Sequence, residues 1–311
     1  MRSFTLFLFL AASVSSHGAI NILGYDAAFN DRYTNDSAFV ASQFDLSGIT
    51  RNATGAGSSG WITMISPNVY LTAEHAQPME GSNATFYKSN DPNGTSSTRS
   101  VTGNRQQIGT TDLFVGTLDA PLTGDFTFYD FATETISNNN TATDGPPQNQ
   151  VNAESFINSP YAGVNAYLFG RSPTGSPSNR DMAVGRNILD RFQADVTVTG
   201  ANQGDFIGGN IGGANEVPFE AQLVVGDSGG PLMVENGSGK LTIVGINWFA
   251  SNETDPNFFG TSYVGNYSEQ IQNFIDANPV PEPSNIALLF GFFVFILEVS
   301  RRRVSRKSGN A

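Results

Sequence analysis

The chain has 311 residues, a formal charge of −12, no cysteine and two histidines. Disulfides, thiolate catalysis and cysteine-based metal sites are therefore excluded, and the acidity suits neither nucleic acid nor an anionic lipid surface. A chain of this length buries enough core to fold without cross-links.

The opening, "MRSFTLFLFLAASVSSHGAI", sets Arg2 before an apolar run over 4–12 and small residues at Ser15, Ser16, Gly18 and Ala19. That is the layout of a secretory signal peptide, with a cut expected after Ala19. Residues 1–19 would then be lost, His17 among them. The exported chain would begin at Ile20 and keep His75 as its one histidine. A multi-histidine zinc site is thereby excluded. "NDPNG" at 90–94 is the nearest candidate for an all-carboxylate calcium site, but Asp-Pro and Asn-Gly both favour turns. No metal and no cofactor is expected. The sequons at Asn52 and Asn83 reflect loops rich in Asn, Ser and Thr.

From 20 to 278 the body reads as short strands between Gly, Asn, Ser and Pro clusters. "GWITMIS", "NVYLTA", "DLFVGTL", "FTFYDF", "NAYLFG", "DVTVTG", "QLVVG", "GPLMVE" and "LTIVGINWF" are of strand length and rich in β-branched or aromatic residues. Helical periodicity emerges only in "NYSEQIQNFIDAN", where Tyr267, Ile271, Phe274 and Ile275 recur behind a cap at Ser268. A loop-like stretch over 137–150 divides the body into two halves of similar size. The expected fold is all-β, two β-barrels packed together (about 20–136 and 151–278) with a C-terminal helix. No repeat at a solenoid or propeller period is present.

The tail over 279–311 carries Pro279, Pro281 and Pro283, an apolar run over 286–297, then Arg301, Arg302 and Arg303. That run of 12 residues is short for a transmembrane helix, which needs roughly 20. Val-Pro-Glu-Pro, a short apolar helix (286–299) and an arginine cluster, in that order, resemble the PEP-CTERM sorting signal of bacterial exported proteins. The resemblance implies an exosortase-type processing enzyme as partner and removal of the tail near the Pro-Glu-Pro. The alternative is a plain C-terminal membrane anchor with the basic cluster left in the cytoplasm. Location is then the cell surface, the extracellular matrix or the medium, with transient or permanent membrane contact through the apolar segment.

"VVGDSGGPLM" sets Ser228 between glycines, beside Asp227. A serine hydroxyl attacks a carbonyl poorly unless a neighbouring base takes its proton, and histidine suits that task near neutral pH. "GDSGG" also fits the Gly-x-Ser-x-Gly elbow of α/β-hydrolases. Those place histidine after serine and alternate helices with strands, and this chain does neither. A Ser-Lys dyad would have to use Lys88 or Lys240, which lie in no recognisable motif. A subtilisin-type order with Asp26 or Asp45 is not dismissed by order alone, but a β-rich body argues against that fold. The remaining order is histidine, aspartate, serine. His75 sits where a strand opens into a loop, and Asp112, at the head of an apolar strand, is a better partner than Asp119, which precedes Pro121 by two and reads as a solvated turn residue.

"LTAEHA", "TDLFVGTLDAPL" and "GDSGGPL" resemble, in order, the histidine, aspartate and serine segments of trypsin-like (chymotrypsin-fold) serine peptidases. "IVGINWF", "GTSYV" and the last helix resemble that family's strands and helix beyond the serine. The resemblance implies a trypsin-like double barrel of two six-stranded-type β-barrels, a serine endopeptidase activity on protein or peptide substrates, and these roles. His75 is general base and then acid, Asp112 orients it, and Ser228 attacks. The N–H groups of Gly226 and Ser228 form the oxyanion hole. Asp227 pairs with a new N-terminal amine, for which Ile20 or Ile22 is the candidate, since "INILGYDAAF" faintly resembles the family's Ile-Val-Gly-Gly start. Gln222 lies at the base of the primary pocket, where an aspartate would select Arg or Lys, and Trp248 and Phe249 line its wall. Uncharged side chains of modest size are the expected substrates. Ala76 stands where the family has cysteine, and Glu74 replaces a small residue; it would either raise the His75 pKa by proximity or, the favoured reading, simply face solvent. A non-catalytic surface or matrix protein, or an esterase on the same scaffold, are the alternatives.

Overall fold

The computed structural model describes residues 19–51, 60–137, 154–174, 181–198, 202–212, 216–250 and 258–280. Residues 1–18, most of the expected signal peptide over 1–19, the connection from 138 to 153, the sequon at Asn52 and the apolar run over 286–297 lie outside them.

The first sheet has six strands: β2 (Ile49–Thr50), β3 (Ile62–Met64), β4 (Val69–Ala73), β5 (Asn83–Tyr87), β6 (Ser96–Gln107) and β7 (Leu113–Leu118). They follow the order β2-β3-β4-β7-β6-β5, every neighbouring pair antiparallel. The edges meet where Thr50 Oγ1 donates to the Thr85 carbonyl at 2.6 Å, so the sheet curls into a barrel. Its interior is Ile62, Met64, Tyr70, Phe86, Val101 and Leu118, all buried. Each of these side chains except Tyr70 contributes about 1.5–3 kcal/mol by leaving water.

The second sheet has eight strands rather than six. They are β8 (Asp130–Phe131), β9 (Asn165–Gly170), β10 (Ala183–Ile188), β11 (Arg191–Thr197), β12 (Gln203–Asn210), β14 (Pro231–Glu235), β15 (Leu241–Ala250) and β16 (Phe258–Tyr263). The path runs β10-β9-β14-β15-β16-β12-β11, with β8 joined in parallel to β15. It nearly closes, because Asp190 N–H, just past β10, donates to the Gly208 carbonyl of β12 at 3.1 Å. A larger core runs through this barrel and under the first, from Trp61 and Leu71 to Phe169, Ile207, Ile246 and Phe274. The expected all-β architecture of two packed barrels with a terminal helix is the one observed.

Two short pieces of the first half belong to the second sheet's side. β1 (Asn21–Ile22) pairs with β13 (Ala221–Gln222), and β8 pairs with β15. Helix α1 (Ala27–Asn30) is capped by Asp26, whose side chain accepts from Ala28 N–H at 2.9 Å. The fully buried Arg32 then ties this arm to both barrels. Its N–H donates to the Met182 carbonyl at 3.1 Å, and its guanidinium to the carbonyls of Ile49 (3.2 Å) and Tyr87 (3.0 Å).

Helix α2 (Glu154–Ile157) is a single turn, and α3 (Ser268–Ala277) buries Ile271 and Phe274. Ser268 is its first helical residue and no side chain caps it, because a 3-10 turn over Gly265–Tyr267 feeds directly into the helix. Among the described residues no helix is long and apolar enough to cross a membrane.

Candidate active site

Strand β4, "VYLTA", is buried along its whole length and ends at Glu74, where a 3-10 turn over Glu74–Ala76 lifts His75 to the surface. Its antiparallel register with β7 sets Ala73 opposite Leu113. One further bond, Glu74 N–H to the Asp112 carbonyl at 2.7 Å, continues the ladder and brings Asp112 beside His75. Asp112 is fully buried. Its Oδ1 accepts the His75 backbone N–H at 3.1 Å, and ring Nδ1 lies 2.9 Å from Oδ1 and 2.7 Å from Oδ2. Nε2 is thus the nitrogen left for chemistry.

About 41% of the His75 side chain is exposed. Partial burial pulls its pKa down, but the Asp112 hydrogen bond and the charges of Asp112 and Glu74 outweigh this, so the net shift is upward from 6.5. Glu74 therefore does not simply face solvent. Its Oε2 accepts from Asn202 Nδ2 at 3.2 Å, and the same amide donates to Asp112 Oδ1 at 2.7 Å. Asn202 carries no sequence signal, being one loop asparagine among many.

The serine loop comes from the second sheet. Gly226 (φ +107°) and Gly229 (φ +85°) both take a left-handed backbone that glycine alone adopts without strain. A Cβ on Gly229 would stand 2.7 Å from Thr72 Oγ1 and 3.4 Å from Ala73 N. The backbone next to Ser228 therefore lies against the end of β4, two residues before His75. The amides of Asp227, Gly229 and Gly230 donate to the carbonyls of Val224, Asn247 and Asp227, which fixes the loop's shape. Ser228 itself is half-buried.

Asp227 is fully buried behind this loop and accepts from Arg171 N–H (2.8 Å) and Val224 N–H (3.0 Å). Burial pushes its carboxyl up to about 7, against the pull of those bonds and of the Arg51 and Arg171 charges. Ile20, also buried, meets Asp227 across Gly170: a Cβ there would stand 2.6 Å from Ile20 Cβ and 2.7 Å from Asp227 Oδ1. Ile20 N–H donates to the Arg171 carbonyl at 3.0 Å. Ile22 is held away in β1, paired with Ala221.

Gln222 Nε2 donates to the Phe258 carbonyl at 3.3 Å. Beside it Phe249 packs edge-on to Trp248, Phe206 and Phe258 (centroids 5.3, 5.4 and 5.9 Å), with its ring lying on the Gly260 backbone. These rings form one aromatic cluster on the second sheet.

The other candidates are engaged elsewhere. Asp26 caps α1; Asp45 accepts from Ser47 N–H and Thr127 Oγ1; Lys88 reaches Asp125 at 3.4 Å. Asp119 is exposed and accepts from Ser100 N–H. Asn93 N–H donates to Asp91 Oδ1, making "NDPNG" a turn. Among the described residues no three His, Asp or Glu side chains converge as a metal ion requires.

No family model and no curated protein matches the chain. Among solved structures it is similar to a mutant of human heparin binding protein (CAP37), with 16% identity and a TM-score of 0.46 over 77% of this chain and 95% of that one.

Proposed function

We propose that the chain is an exported serine endopeptidase acting through His75, Asp112 and Ser228. The observation that carries this reading is the buried Asp112 carboxylate on His75 Nδ1, at a strand end against which the Ser228 loop packs. His75 Nε2 takes the serine proton as Oγ attacks the scissile carbonyl. The acyl-enzyme forms as His75 returns that proton to the leaving amine, and water then releases the acid by the same exchange. Gly226 and Ser228 N–H groups stabilise the oxyanion, each donor worth roughly 10²–10³ in rate. An Ile20 amine, freed by cleavage after Ala19, pairs with Asp227 and sets the loop. The aromatic cluster around Phe249 would line the primary pocket and favour small uncharged side chains before the scissile bond. Export, and processing of the tail by an exosortase-type enzyme, belong to the same proposal and rest on 1–19 and 279–311.

The test is covalent labelling by a fluorophosphonate, with the adduct mapped by mass spectrometry, in wild type, His75→Ala and Ser228→Ala. Labelling of Ser228 that requires His75 is the expected result. A folded wild type with the Ile20 start that resists labelling overturns the proposal.

A further inference from the structure

We propose that Asn202 is a positioning residue that holds the Asp112 carboxylate in line with His75, an assignment that rests on the peptidase reading above. Asn202 is buried and stands immediately before β12. Its Nδ2 donates to Asp112 Oδ1 at 2.7 Å and to Glu74 Oε2 at 3.2 Å. Its own Oδ1 accepts from Gln107 Nε2 at 3.3 Å, and that same Nε2 donates to the Thr111 carbonyl at 2.7 Å. The order of these contacts fixes the amide. Gln107 presents N–H groups to two oxygens, so the Asn202 carbonyl must face it and the Asn202 NH₂ must face the carboxylates. The reverse orientation would set a carbonyl oxygen against two negative charges.

The hold is directional. Asp112 Oδ1 receives the His75 backbone N–H, the ring Nδ1 and the Asn202 amide. Rotation of the carboxylate about its Cβ–Cγ bond would break all three at once. The seat of Asn202 is itself rigid. Gln203 N–H donates to the Thr110 carbonyl at 3.1 Å, and Gly204 leaves room for Thr111. Asn247, the buried amide on β15, serves a different end, donating to the carbonyls of Phe169 and Asp227 beneath the serine loop.

There is a geometric reason for an amide from this place. Asp112 and His75 belong to the first barrel, whereas Ser228 and Asn202 belong to the second. Asn202 therefore sets the carboxylate against the barrel that carries the serine. Its paired N–H groups also lie between two carboxylates, Asp112 and Glu74, whose mutual repulsion would otherwise turn Asp112 off the ring.

The test compares the chain beginning at Ile20 with its Asn202→Ala and Asn202→Leu variants, the second of which nearly keeps the shape and removes the donor. Two quantities are read: the rate constant for fluorophosphonate labelling of Ser228, separated from probe affinity, and the far-downfield Nδ1 proton of ¹⁵N-labelled His75, the one histidine from residue 20 onward. Both variants are expected to label about 10–100-fold more slowly at nearly unchanged probe affinity. In both, the Nδ1 proton broadens or disappears while the far-ultraviolet spectrum stays that of wild type. Labelling within about twofold of wild type overturns the proposal, whatever the proton does. If wild type itself does not label, the peptidase reading fails separately, and the Nδ1 proton alone then decides whether Asn202 holds the pair. Should Asn202→Ala not fold, the Leu variant decides.

Discussion

Asp112 grips His75 at two points, the backbone N–H at 3.1 Å and ring Nδ1 at 2.7 Å, so main chain and ring are fixed by one carboxylate. Asp112→Asn keeps an oxygen for the backbone N–H but turns an NH₂ toward the ring. Nδ1 must then accept, and the proton moves to Nε2, the nitrogen that has to act as base. The expected loss in turnover is about 10⁴-fold with the fold retained. Steady-state kinetics beside thermal melting would test it, and a loss below about tenfold would argue against this role.

With the His75 pKa raised from 6.5, the proposed activity should show the rising limb of its pH–rate profile above that value. Glu74→Gln removes one of the charges that raise it, so the limb should move to lower pH. An unmoved limb would remove Glu74 from the site's electrostatics. The stability linkage has the matching sign: stabilisation by protonated His75 is full below the unfolded pKa and is lost as pH rises through the folded one.

The Phe249 ring rests on Gly260, at the wall of the proposed pocket. Phe249→Gly should admit large apolar side chains before the scissile bond, raising kcat/KM for them about 10–200-fold relative to alanine. Cleavage of a mixed peptide library reads this directly. Unchanged preference would mean that the pocket lies elsewhere.

Asp227 behaves differently from an ordinary carboxylate. Its folded pKa of about 7 exceeds the usual aspartate value of 3.8, so the folded chain holds the proton longer. Its contribution to stability is therefore full below about pH 4 and falls as pH rises toward 7. Asp227→Asn should flatten that part of the melting-temperature profile. A chain beginning at Ile20 should flatten it too, because an amine beside the carboxylate favours its charged form. A profile indifferent to where the chain begins would disconnect Ile20 from Asp227.

Arg32 donates to main-chain carbonyls on the first barrel while its own N–H bonds Met182 on the second. Arg32→Met leaves those carbonyls unpaired and should cost about 2–4 kcal/mol in denaturant unfolding. A loss below about 0.5 kcal/mol would show that water replaces the guanidinium.

Strands with a buried, β-branched or aromatic face, such as Asn165–Gly170 and Leu241–Ala250, were legible in the sequence because composition and pairing agree. Ser96–Gln107 was not: it is polar, mostly open to water, and held by its neighbours on both sides. Gln203–Asn210 is hidden by three glycines: Gly208 and Gly209 let other backbones approach, and Gly204 makes room for the Thr111 side chain. The opposite error occurs in "FTFYDF", where only Asp130 and Phe131 pair. Phe126 packs in the first core and Tyr129 in the second, so the stretch crosses between cores and its apolar residues serve packing. "QLVVG" likewise pairs only at Gln222, and Val225 is 84% exposed because the chain is already turning into the serine loop. The pairing of His75 with Asp112 was legible because the body holds one histidine in an identifiable setting. Asn202 was not, because its partners lie 90 and 128 residues away and no local pattern marks them.

The pairing of Asn21 with Gln222 also sets a timetable. The chain emerges from its N-terminus, so the first strand waits for a partner some 200 residues behind it, about 10–40 s at ordinary synthesis rates. Ile20 cannot settle over Asp227 until that wait ends. A chain interrupted before residue 222 lacks both the serine and the seat for its own beginning. Under the proposed activity, unfinished copies would be inert toward the cell that makes them, with cleaving power arriving only with the completed body.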